Sequence, residues 1–176
     1  MGHMIQCFIG PDSAIREIVA PIEPVTHRTV KLPQGLCCLF YCENVYDSIH
    51  EYQMSDNDRE IEPFSIFSNT LIMYLESIRP KGNFIYIETD YAGGTGYQAA
   101  GAFKNGKLME ARKTEIMYLD RTDNYPEVLL DKPINTALRD LGVIRRPEAD
   151  EFDTLDLGNY RTMPIDGKFD YEIYGN

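Results

Sequence analysis

Residues 83–119 read NFIYIETDYAGGTGYQAAGAFKNGKLMEARKTEIMYL, and this stretch decides the fold. Over residues 84–91, the side chains at even-numbered positions form one set and those at odd-numbered positions another. This two-residue period is that of a β-strand. Asn105-Gly106 then separates two further runs of strand character, and an Asn-Gly pair is the strongest short-range signal for a β-hairpin. The stretch therefore predicts a strand, a glycine turn, a second strand, an Asn-Gly turn and a third strand.

The rest of the chain predicts further strands and the helices that cover the sheet. Apolar residues at three- and four-residue steps predict a helix from Pro63 to Arg79. Capping and stop signals predict shorter helices over 12–21 and 131–142, and weaker patterns indicate helical turns near 45–53 and 148–161. A strand is expected at 4–10, and Pro33-Gln34-Gly35 predicts a hairpin that joins 27–32 to 36–42. The expected fold is α+β, or α/β, with a central, mostly antiparallel sheet and about three packed helices.

Length and composition favour one globular domain over residues 4–176. A chain of 176 residues with 43% hydrophobic residues is large enough to bury a core of its own. Met1-Gly2-His3 resembles a cloning remnant before a natural start at Met4. No apolar run approaches the roughly 20 residues that span a bilayer, and the start lacks the features of a signal peptide. We therefore expect a cytoplasmic protein that does not bind membranes.

The charge balance favours a basic protein as partner. Twenty-eight acidic and seventeen basic residues give a net charge of −11, which repels nucleic acid and attracts basic surfaces. The acidic residues are densest over 56–62 and 148–156. Tyrosines lie among carboxylates in several places, and such tyrosines are favoured at protein interfaces. Asp153, Asp156 and Tyr160 are therefore candidate binding residues.

The cysteines predict buried free thiols and no metal centre. Three of them, Cys37, Cys38 and Cys42, lie in the apolar run LCCLFYC, and Cys7 lies in the first predicted strand. Their spacing matches no familiar zinc motif, and the chain has few histidines to complete one. We expect neither a metal nor a cofactor.

The glycine cluster has three interpretations. As a dinucleotide fingerprint, Gly94-x-Gly96-x-x-Ala99 lacks the helix that should follow and hold the pyrophosphate. Asp90 with Gly93-Gly94-Thr95 resembles the first phosphate loop of the sugar-kinase and actin-like ATPase superfamily, which implies nucleotide binding. That resemblance covers about twenty residues and departs from the family by one extra residue before the glycines and by its position in mid-chain. In the third interpretation the glycines only turn the chain.

The residues on either side of the glycine cluster include several polar side chains. Glu88 and Asp90 lie two apart on a strand and should leave the same face. Paired carboxylates beside a polar loop are suited to a contact surface. They are also suited to acid/base catalysis, or to binding a divalent cation, if one or two further polar groups lie close to them. The binding residues predicted at this end are Glu88, Asp90, Tyr91, Gly94, Thr95, Gly96 and Gln98.

Three segments also resemble parts of small uncharacterised bacterial proteins: YIETDYAGGTGYQAAGAF, INTALRDLGV and DEFDTLDLGNYR. The resemblance implies a bacterial or phage origin and suggests that the three segments belong together. It implies no activity.

These observations lead to one expected function and one alternative. The chain lacks a nucleophile elbow, a Walker loop and a His-Glu-x-x-His motif, which removes the common enzyme classes. We expect a small acidic protein that masks a basic partner, as immunity proteins and anti-defence inhibitors do. The alternative is a small enzyme, or a nucleotide- or metal-binding domain, that uses the 88–98 glycine loop.

Overall fold

The structure is a computed structural model that describes residues 3–22, 29–53, 58–92, 95–116 and 131–160. The strands are β1 (His3–Pro11), β2 (Thr29–Lys31), β3 (Leu36–Phe40), β4 (Asn83–Ala92), β5 (Thr95–Lys104) and β6 (Lys107–Ile116). The α-helices are α1 (Asp12–Val19), α2 (Glu43–Tyr52), α3 (Asn69–Ile78), α4 (Pro133–Asp140) and α5 (Glu151–Thr154). Short 3₁₀ turns follow α1, join β2 to β3 and follow α5.

The six strands form one antiparallel sheet in the order β2-β3-β1-β4-β5-β6. The predicted α+β class is confirmed, and so is the three-strand meander of the 83–119 stretch. Asn105 and Gly106 have φ angles of 50° and 79°, the positive values that a tight β-hairpin turn requires. The glycine turn predicted at Gly93 and Gly94 lies outside the described residues.

Helices cover both faces of the sheet. One core cluster joins the sheet to α1, α2 and α3 and includes Phe8, Tyr74 and Tyr86. A second cluster on the opposite face joins the sheet to α4 and α5. Because the inner strands are buried on both faces, they are apolar without alternation, as in the β3 sequence LCCLF. The described residues hold five helices rather than about three, because the two weaker helical patterns also form helices.

The main helix is shorter than its sequence pattern predicted. Apolar periodicity placed its start at Pro63, but α3 begins at Asn69. The amides of Ser65, Ile66 and Phe67 donate to the Glu88 side chain instead of lying at the start of a helix. A distant carboxylate therefore overrides the local preference.

All four cysteines are free and buried, as predicted. Cys37 Sγ donates to Asp12 Oδ1 at 3.3 Å. Burial and the nearby Asp12 carboxylate raise the pKa of Cys37, and burial and the neighbouring Cys7 thiol raise that of Cys38. Since the thiolate is the reactive form, these thiols are protected by burial and, at Cys37 and Cys38, by protonation.

No helix of the described ranges is both long and apolar enough to cross a membrane.

We expect the folded protein to leave all four thiols unreactive toward an aromatic disulfide reagent at neutral pH, because none is accessible. In denaturant, all four should react within minutes. Absorbance of the released thiolate measures both states. A fast-reacting thiol in the folded protein would contradict the buried arrangement.

Candidate functional site

Glu88 lies near the end of β4, on the face covered by α1, α2 and α3. Its side chain is 0% exposed. Oε2 accepts the amide of Ser65 at 2.9 Å, and Oε1 accepts those of Ile66 and Phe67 at 3.0 and 2.9 Å. Both oxygens are therefore occupied by the backbone that leads into α3.

Two tyrosine hydroxyls complete the surroundings of this carboxylate. Tyr86 donates to Oε1 at 3.1 Å and Tyr97 donates to Oε2 at 3.2 Å. Burial raises the pKa of both phenols, and the Glu88 charge raises both further. Five donors surround one buried anion, which is the condition for burying a charge without a counter-ion. The prediction that Glu88 lies on an accessible surface is wrong, because the segment before α3 covers it.

Asp90 is the member of the predicted carboxylate pair that stays exposed. It leaves the same face of β4 as Glu88, as strand alternation requires. Asp90 lies opposite Tyr97 of β5, two residue pairs beyond the Glu88–Ala99 pair. The two carboxylates therefore share a face and differ in what covers them.

Thr95 and Gly96 follow the glycine turn. Thr95 is exposed. Gly96 has a φ of 156°, and a Cβ built there would lie 1.9 Å from the Asp90 carbonyl oxygen. The close backbone approach of β4 and β5 requires glycine at this position. Gly94 lies outside the described residues, and its role in binding stays a prediction.

Tyr91 and Gln98 lie on the opposite face of the sheet. Gln98 is buried, donates from Nε2 to the Tyr91 hydroxyl at 3.0 Å and accepts the Ile134 amide at 3.1 Å. Gln98 therefore fixes the start of α4 on the sheet. The polar side chains predicted to form one binding surface at 88–98 are thus divided between the two faces of the sheet, because successive strand residues point in opposite directions.

The acidic stretch 148–156 is partly paired within the protein. Arg146 Nη2 contacts Asp156 Oδ1 at 2.9 Å and also donates to the Asp153 carbonyl. Arg139 Nε contacts the buried Glu151 at 2.8 Å. Burial, with the nearby Asp150 charge, raises the pKa of Asp153. The Tyr160 ring packs against the Phe40 ring with 5.4 Å between their centroids, so it forms part of the packing around the second core cluster.

The three segments that resemble bacterial proteins pack together. Gln98 of β5 binds the first turn of α4, as described above. Asn135 of α4 donates to Asp150 Oδ2 at 3.0 Å and accepts the Phe152 amide at 3.0 Å. The meander therefore contacts α4, and α4 in turn contacts the α5 region.

A row of carboxylates on α2 was not identified from the sequence. Glu43, Asp47 and Glu51 recur every four residues and are exposed, on the side away from the buried Val45 and Ile49. We call these three the acidic row. No ion pair among the described residues includes any of them. The four-residue spacing in ENVYDSIHEY was the available signal.

The acidic row opposes the stability of its own helix. Like charges at i and i+4 destabilise a helix by about 0.2–0.5 kcal/mol per pair. Glu51 also lies in the last turn, where the helix dipole disfavours a negative charge, whereas Glu43 lies in the first turn, where the dipole favours one. Tyr46 and Tyr52 of the same helix are 37% and 52% exposed, and Tyr46 adjoins Glu43 at the edge of the row.

His50 joins α2 to the segment before α3. Its Nε2 lies 2.7 Å from Asp58 Oδ2, and its Nδ1 lies 2.9 Å from the Tyr46 carbonyl oxygen. Asp58 Oδ1 accepts the Thr70 amide in the first turn of α3 at 3.0 Å. With both ring nitrogens engaged, His50 has no nitrogen available to act as a base on a substrate.

Asp58 is held as a carboxylate. Partial burial alone would raise its pKa, but hydrogen bonds from His50, Thr70 and Ser68 outweigh this and lower the pKa to about 2. The Ser68 and Thr70 hydroxyls are buried and face Asp58 without reaching good hydrogen-bond geometry. The strongest bonds to this carboxylate are therefore those of the imidazole and the Thr70 amide.

Within the described residues, no group of three histidine, cysteine or acidic side chains is arranged to hold a metal ion.

No protein-family model, curated protein or solved structure matches this chain. Glu88, the acidic row and the His50–Asp58 pair are therefore the features of the chain that bear on its function.

We expect Glu88→Gln to lower the free energy of unfolding by about 3 kcal/mol, because an amide replaces an anion that receives five hydrogen bonds. Asp90→Asn, two residues along the same face, should change it by less than about 0.5 kcal/mol. Urea unfolding followed by circular dichroism measures both variants. Equal effects would contradict the role of Glu88.

We expect the free energy of unfolding to decrease at acidic pH as Asp58 becomes protonated. Its pKa is lowered from 3.8 to about 2 in the folded protein, so its contribution is complete above pH 3.8 and is lost as the pH falls toward 2. Because Asp58 is partly exposed, we expect about 1 kcal/mol. Urea unfolding of the wild type and of Asp58→Asn between pH 2 and 6 measures this, and parallel pH profiles would contradict it.

Proposed function

We propose that this chain is an acidic binding protein that masks a basic protein partner, in the manner of immunity proteins and anti-defence inhibitors, and that α2 carries the docking surface. The observation that carries the proposal is the acidic row. Three carboxylates lie on one exposed helix face, repel one another and have no ion pair among the described residues. Residues that oppose local stability without compensation are expected where a partner supplies the compensation.

The acidic row suits a basic partner better than the stretch 148–156 does. Arg146 and Arg139 already neutralise part of that stretch, whereas α2 contains no lysine or arginine. Unpaired carboxylates attract lysine and arginine over long distances and raise the rate of association. Tyr46, which is 37% exposed and lies three residues after Glu43 on the helix, supplies aromatic area and a hydroxyl at the edge of the row.

The alternative function uses the 88–98 glycine loop. Glu88 is buried with both oxygens occupied, so it offers no free carboxylate for acid/base work or for a cation. Asp90 and Thr95 are exposed near the turn. Ligand binding by this loop stays a prediction.

Neutralising the acidic row should weaken docking without unfolding the protein. We compare E43Q/D47N/E51Q with a control of equal charge change, E115Q/D140N/E148Q, whose side chains are exposed on other elements. The row variant should be about as stable as the wild type, because the removal of two repulsive pairs and of the unfavourable dipole contact of Glu51 offsets the loss of the favourable dipole contact of Glu43 in the first turn. Thermal unfolding of both variants measures this.

Binding is measured in two stages. Immobilised wild type and both variants first capture proteins from the host lysate at low salt, and a basic protein retained by the wild type is then purified. Calorimetry should show that the row variant binds it at least about tenfold more weakly and with less dependence on salt, while the control binds normally. Equal weakening by both variants, or retention of no basic protein, would contradict the proposal.

A further inference from the structure

Strand β6 forms one edge of the sheet, and among the described residues no other strand pairs with its outer side. It is ten residues long, whereas β2 at the other edge has three residues. An edge strand presents a row of backbone N–H and C=O groups with which a further strand can pair. β6 is therefore the longer of the two edges at which the described part of the sheet can be extended.

The β6 edge is basic although the chain is acidic. Its sequence KLMEARKTEI contains three basic and two acidic residues and so has a net charge of +1, whereas the whole chain has a net charge of −11. Two copies of the chain repel each other most where acidic surfaces come within a Debye length. Contact at β6 avoids that close approach and brings charges of both signs together.

Two-fold symmetry restricts how β6 can pair with a second copy of itself. Identical partners that associate through the same surface are related by a two-fold axis, which here is perpendicular to the sheet. The two strands are then antiparallel, and because opposed residues share a face, the axis passes through one residue, which lies opposite its own copy. Like charges directly opposite each other destabilise a strand pair. Only an uncharged residue is therefore suited to the axis.

The longest regular pairing is the one centred on Thr114. The ladder between β5 and β6 skips Met109, so the regular part of β6 begins at Glu110. Centred on Thr114, the regular pairing covers five residues of each β6 strand. Centred on Ala111 it covers three, and centred on Ile116 it covers one.

The pairing centred on Thr114 also brings opposite charges together. It places Lys113 of each copy directly opposite Glu115 of the other. Both side chains are exposed, and no ion pair among the described residues includes either of them. Glu110 and Arg112, in contrast, already contact each other at 2.6 Å within the chain. A second copy therefore supplies a partner to the two charges of this strand end that lack one.

We propose that this chain forms a two-fold symmetric dimer in which the β6 strands of two copies pair antiparallel, centred on Thr114. The two sheets then join into one continuous sheet. Each Thr114 lies opposite its own copy, and opposed threonines stabilise a strand pair. The acidic row lies on α2, which follows β3 near the other edge of the sheet, so the dimer contact does not involve it.

Sedimentation of the full chain at several concentrations tests the dimer. K113E puts two carboxylates opposite each other twice, so the dissociation constant should rise at least about tenfold. K113E/E115K exchanges the two charges, restores both pairs and should dimerise as the wild type does. K104E makes the same charge change at an exposed lysine at the end of β5 and should leave the dimer unchanged. Thermal unfolding checks that each variant is folded.

Cysteine cross-linking tests the register. The natural thiols are buried, so an introduced cysteine is the accessible one. T114C should give a disulfide-linked dimer on oxidation by diamide, because opposed Cβ atoms lie about 4.5–5.5 Å apart. A111C and the exposed E148C should stay unlinked. A monomeric wild type, failure of K113E/E115K to restore the dimer, or cross-linking of A111C in place of T114C would overturn the proposal.

Discussion

The buried carboxylate of Glu88 is the interaction on which the first helical layer depends. Its five donors come from the segment before α3 and from two strands of the sheet. A buried anion is stable only when such donors surround it, so the carboxylate and the segment require one another. This requirement sets where α3 begins. It also directs the rings of Phe64 and Phe67 toward Tyr86, with which they form an aromatic cluster.

The two acidic features of the protein therefore have opposite roles. Glu88 stabilises the fold because its charge is enclosed and satisfied. The acidic row opposes the stability of α2, since its charges repel one another and stay exposed. Between them, Asp58 joins α2 to α3 through His50 and Thr70. The α2 helix is thus held to the rest of the protein by a polar contact as well as by the packing of Val45 and Ile49.

Much of the fold could be predicted because its signals are local. The Asn105-Gly106 turn, the alternation before Asp90 and the apolar β3 run each determine a strand or a hairpin within about ten residues. The site was predicted less well. The sequence placed Glu88 and Asp90 on one face, which is right, and treated both as accessible, which is wrong for Glu88. Accessibility depends on what packs over a residue, and that partner lies more than twenty positions earlier in the chain.

The sequence by itself determined the antiparallel meander, the buried thiols and an acidic chain of net charge −11. These follow from strand periodicity, turn chemistry and composition, which act over short distances. Only the tertiary structure decided which carboxylates are enclosed, which are neutralised by arginine and which remain unpaired on α2. The reason is electrostatic: the state of a charge depends on all neighbouring groups, and folding brings those neighbours from distant parts of the chain.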